Sequence, residues 1–308
     1  MSYDELAQHA QDIQKKAVEK EGMDQAKVNA QATGGYGAPM PVDYDKIDQK
    51  YAFVTKMFEP YTDLPDPASF DPLIEDLRKA MGDLSTGQQA SNNELAKDVT
   101  FANPKLSKMT TAGSYLEGWN GAAAMSFKEN FIDTFPPLAN NQFTLLSTLK
   151  GALEAHQETW RRARADIDKI AHTTKDALDN AGGCGKNEWG FALSVVSAVV
   201  AIASIPVSGP AGAIVISAVG AAASTGSAAK AGIEASGDSA EEITKSMKEA
   251  IEKLTEDIKK NEKQIKEALD GITSAVSGNK ALFVANRPKL AGMDDGQLTG
   301  DSGMGRAN

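Results

Sequence analysis

Cysteine is almost missing from this chain. One thiol, Cys184, stands in 308 residues, so neither a disulfide framework nor a paired-thiol redox site is available. Aromatic residues are scarce as well, at 6%. Few aromatics with abundant Ala, Lys, Glu, Leu and Ile suit long packed helices better than a sheet sandwich. Basic blocks are also lacking, and the net charge is −10. That balance repels phosphate backbones, so no nucleic-acid partner is expected. The densest basic cluster, Arg161, Arg162 and Arg164, offers a contact for an anionic lipid or a partner's acids, with a solvated helix face as the plainer reading. The first ten residues, MSYDELAQHA, hold neither a basic stretch nor an apolar run. No cleavable signal peptide is expected from them.

Catalytic patterns are missing too. His9, His156 and His172 lie far apart in sequence, with no Cys or second His at metal-ligand spacing. His156 falls on an apolar stripe, where a packed histidine is the plain reading. Gly182–Gly183–Cys184–Gly185–Lys186 resembles a phosphate loop only superficially. Asn180 and Asn187 stand where that loop needs Gly and Ser or Thr, so the run reads as a helix terminator. No nucleophile elbow and no dinucleotide fingerprint occur. The expectation is a non-enzyme without cofactor or metal.

What is present is helical periodicity. Residues 1–68 read as polar helices with Pro/Gly-rich linkers, and 1–32, where large apolar residues are few, as a segment that frays or docks weakly. Asp71 and Pro72 open a helix that carries Leu73, Leu77, Met81 and Leu84. Pro136 and Pro137 break or kink the next one. Leu146, Leu149, Leu153, His156, Trp160, Ala163, Ile167 and Ile170 then recur every three or four residues, a coiled-coil-like stripe. A second long amphipathic helix, within 236–285, carries Ile243, Met247, Ile251, Leu254, Ile258, Ile265, Leu269 and Ile272 on one face. Packed antiparallel on 138–180, it completes an elongated all-α bundle. The tail, 286–308, reads as disordered.

Between the two long helices the character changes. From Trp189 to Ala229 no residue is charged. Within 181–235 two apolar limbs flank a turn at Pro206, Gly209 and Pro210, and the segment reads as an apolar helical hairpin. Its apolar residues are Trp189, Phe191, Leu193, Val195, Val196, Val199, Val200, Ile202, Ile205, Ile214, Val215, Ile216 and Val219. As helix, Phe191–Ile205 spans about 22 Å, short of a hydrocarbon core of roughly 30 Å. Such a segment suits conditional membrane contact, or a buried limb covered by other helices.

Within 69–180, the run from Tyr115 through Trp119, Gly121 and Phe127 joins a helix, a Trp-x-Gly turn, small residues and a second helix. It resembles the WXG100/ESX superfamily of type VII secretion substrates. Gly121 permits a tight reversal, and Trp119 offers a large apolar cap. The resemblance implies export through type VII secretion machinery and pairing with a WXG100-like helical partner or with copies of itself. The family's YxxxD secretion signal has one counterpart, Tyr44–Asp48, placed upstream of the hairpin rather than after it. The apolar hairpin is similar to the tongue of cytolysin A-type helical pore-forming toxins. The expectation is a secreted or cell-envelope protein that self-associates and reaches lipid membranes by a soluble-to-membrane switch. The alternative is a structural or chaperone-like partner of a secretion apparatus, its hairpin permanently buried.

Overall fold

The computed structural model describes residues 3–32, 40–86, 93–99, 102–106, 108, 111, 118, 125, 127–181, 190–196, 200–209, 212–221, 230–236 and 239–285. Its helices are α1 (Leu6–Ala32), α2 (Tyr44–Tyr51), α3 (Phe53–Phe58), α4 (Asp71–Leu84), α5 (Phe135–Asn180) and α6 (Ala240–Gly278). The helical-bundle expectation holds for these elements. The structure falls into two compact units. One comprises Met1–Ser69, His156–Val199 and Ala222–Lys263; the other comprises Phe70–Ala155, Val200–Ala221 and Gln264–Asn308.

In the first unit, α1 buries Leu6, Ala10, Ile13 and Ala17, one residue per turn along a single stripe. These meet Ile47 and Tyr51 of α2, Val54 and Phe58 of α3, Ile167 and Ile170 of α5, and Ile243, Met247 and Ile251 of α6. The weak docking expected of the N-terminus is therefore overturned. Its apolar residues are few, but they share one face, and two of them, Ile13 and Ala17, have no exposed surface at all.

The second unit has smaller cores. Ala152 and Ala155 of α5 pack with Ile265 and Ala268 of α6. Leu145, further back along α5, groups with Ile272 and Val276, further on along α6. Falling numbers on one helix against rising numbers on the other mean that the two run antiparallel here, as the sequence predicts. Met81 of α4 meets Phe143 of α5, with Ala96 and Val99 beside them. Pro136 and Pro137 occupy the first turn of α5, where a missing amide donor costs nothing. A π-helical turn, Lys128–Ile132, precedes it, so the prolines separate two elements as expected. Pro72 similarly lies in the first turn of α4, with Phe70 as the capping residue in place of the expected Asp71.

The apolar segment is the main correction. Its described residues are extended, not helical. Strand β1 (Gly190–Val196) pairs antiparallel with β4 (Lys230–Ser236), and β2 (Val200–Gly209) pairs antiparallel with β3 (Gly212–Ala221). The physical reason lies in the residue types. Val and Ile fill four of the ten positions in each of β2 and β3, and their branched Cβ atoms favour the pleated backbone. Pro206 would break a helix but is tolerated in a strand with an open edge. Gly212 holds a φ of +127°, a conformation that favours glycine, and it closes the hairpin against Gly209.

Candidate functional site

The β2–β3 hairpin is built by alternation. Its register pairs Ile205 with Ile216 and Val207 with Ile214, which places these four side chains on one face. Ser204 with Ser217, Pro206 with Val215, and Ser208 with Ala213 share the other. The first face packs inward: Val207 and Ile216 join Ile272, Leu282 and Phe283 in one buried cluster. The Asn141 side-chain amide donates to the Ser208 carbonyl (3.1 Å) and the Leu282 carbonyl (2.7 Å), tying the hairpin tip to α5 and to the turn after α6. Gly220 also contributes. A Cβ there would come within 2.5 Å of Leu95 Cδ2, so the glycine lets Leu95 lie against β3.

The second face is open. Ser204, Pro206, Ser208, Ala213, Val215 and Ser217 are all exposed, and Val215 is 65% exposed. No charge lies on this surface, unlike the Lys- and Glu-rich outer faces of the helices. The sheet has only two strands, so among the described residues both outer edges lack a strand partner. Each strand is ten residues long, and a membrane-spanning strand needs about 9–11. Among the described residues, no helix is long and apolar enough to cross a membrane.

The sequence-predicted hairpin residues are distributed accordingly. Ile216 is buried, Ile205 and Ile214 are half-buried, and Val215 is exposed. Phe191, Leu193, Val195 and Val196 lie on β1; Val200 and Ile202 lie on β2, and Val219 on β3. Trp189 and Val199 fall outside the described residues, as do Trp119, Gly121, Cys184 and the tail 286–308. Tyr44 and Asp48 lie in α2, where the Asp48 carboxylate accepts from the Gln14 amide at 2.9 Å. Tyr44 lies over Gly22 of α1, where a Cβ would stand 2.4 Å from the ring. The two residues thus help seat α2 on α1. Lys50, later in α2, bridges Glu21 and Glu241 at 2.8 Å each.

One grouping escapes any reading of sequence spacing. His9 of α1 and His172 of α5, far apart in the chain, come together with Asp168. The signal is a parallel register. His9 meets His172, Asp12 pairs with Lys175, and Lys16 pairs with Asp179, so each step along α1 is matched by an equal step along α5. Histidines brought together by such a register need no local motif. Comparison of this chain with protein-family models, with curated proteins and with solved structures finds no match.

Proposed function

We propose that this protein is a self-associating helical protein that engages lipid membranes through its apolar β-hairpin. The observation that carries the reading is the exposed, charge-free face of β2–β3 around Val215. Water-facing strands ordinarily carry charge or are covered; this face carries no charge, and Pro206, Ala213 and Val215 alternate on it with Ser204, Ser208 and Ser217. Strand length supports membrane contact by the hairpin, and open strand edges support pairing between copies. Transfer of the Val215 side chain from water to lipid contributes about 1.5–3 kcal/mol. Export as a type VII-like substrate belongs to the same reading. Its support is the resemblance carried by the run around Trp119 and Gly121.

The test is liposome flotation of the purified protein, at neutral and mildly acidic pH, with and without anionic lipid. Val215→Asp is expected to abolish flotation while helicity and thermal stability are kept, because that side chain already faces water. Failure of the unaltered protein to float under every condition sinks the membrane reading. The protein would then be a soluble assembly partner, with the packed face of the hairpin serving only the core.

A further inference from the structure

We propose that His9, Asp168 and His172 form a binding site for a divalent transition-metal ion of the zinc type, which fastens α1 to α5. The proposal is independent of the hairpin.

Two imidazoles and a carboxylate are a ligand set that zinc accepts, with water completing a four-coordinate site. One ligand atom from each of the three residues lies within 4.8 Å of the others. The Asp168 carboxylate stands 4.0 Å from His9 Nδ1 and 3.4 Å from His172 Nδ1, the ring nitrogen that also meets the Asp168 carbonyl and so is not the one left for an ion. Donors around a tetrahedral ion at 2.0–2.1 Å are separated by about 3.4 Å. The separations here reach 4.8 Å, wider than that, so the donors would have to close by about 1 Å around an ion.

Burial supplies the second observation. His9 is only 3% exposed, yet its Nδ1 makes no hydrogen bond, and neither does the buried Asp168 Oδ1 that it faces. At 4.0 Å the two atoms are too far apart to bond to each other. Orphaned buried acceptors and donors are costly, and an ion between them would satisfy both. Glu5 lies 3.9 Å from the other nitrogen, His9 Nε2, beyond hydrogen-bond reach.

Asp168 and His172 are one helical turn apart on α5, a spacing that puts two ligands on one face. The His172 ring bonds through Nδ1 to the Asp168 backbone carbonyl at 2.8 Å. With Nδ1–H as donor, the lone pair is left on Nε2 for a metal. His172 and Asp168 retain 31% and 25% side-chain exposure, which gives an ion and its water a way in. The Asp12–Lys175 and Lys16–Asp179 ion pairs continue the same seam, so bound metal would lock a parallel contact already in register.

The full-length protein, stripped with a chelator, is titrated with Zn2+ by calorimetry and with Co2+ by visible absorption. The expected result is one saturable high-affinity site, a raised thermal midpoint with Zn2+, and Co2+ bands of four-coordinate intensity. His172→Ala, at a half-exposed position, and the near-isosteric His9→Gln should each weaken binding by at least the roughly 10–100-fold that loss of even an outer partner costs, with helicity unchanged. The proposal is overturned if no saturable site is found, or if either variant binds Zn2+ as the unaltered chain does. The latter result would place the ion elsewhere, at His156, Cys184 or the acidic helix faces.

Discussion

At the scale of single residues, the ionisable groups inside the helices decide much of the behaviour. Lys150 is 2% exposed, and its ammonium is held by Asp98 at 2.9 Å and Glu154 at 2.7 Å. Both acids keep a path to water, at 39% and 30% side-chain exposure. Removing the lysine therefore leaves two carboxylates that can hydrate, whereas removing both acids strands a buried cation. The double variant Asp98→Ala/Glu154→Ala should cost about 3–5 kcal/mol, more than Lys150→Met, as read by denaturant unfolding. His156 adds a pH dependence. Burial holds its pKa below the ordinary 6.5, with Glu262 opposing. Above the ordinary value both folded and unfolded forms are neutral. As pH falls below it, the unfolded chain takes the proton first, and stability drops until the depressed folded value is reached. His156→Gln should flatten that part of the slope in thermal melts between neutral and acidic pH. Glu154, one turn on along α5, is legible in sequence, whereas Asp98 and Glu262 are not, because they act from separate elements.

Among the elements, the long helices were legible and the hairpin was not. The stripes on α5 and α6 are sustained over many turns, so periodicity alone identifies them. The boundaries at Pro72 and at Pro136–Pro137 followed from proline chemistry. In 190–221 the apolar runs are short, and small Ala, Gly and Ser residues interrupt them, which leaves helix and strand indistinguishable by period. The density of Val and Ile and the position of Pro206 were the signals that favoured strand. α1 taught the converse: four residues on one stripe are enough to dock a polar helix. Ile13→Ala, at a position with no exposed surface, should cost about 2–5 kcal/mol. A loss well under 1 kcal/mol in chemical unfolding would mean that α1 is not docked in solution.

For the molecule as a whole, stability is expected to be uneven. Two-stranded sheets are marginal in water, whereas α5 and α6 are held by buried clusters in each unit. Amide hydrogen exchange should therefore release the β1–β4 and β2–β3 amides well before the centres of α5 and α6. Equal protection would argue against a hairpin free to leave its packed face. The sequence by itself determined the helical class, the two long amphipathic helices, the uncharged segment between them and the lack of catalytic motifs, because composition and period are local properties of the chain. Only the tertiary structure decided that the segment is extended, that α1 lies in the core, and that His9 reaches Asp168 and His172. Each of these depends on which faces meet across long sequence separations, and no local pattern encodes that pairing.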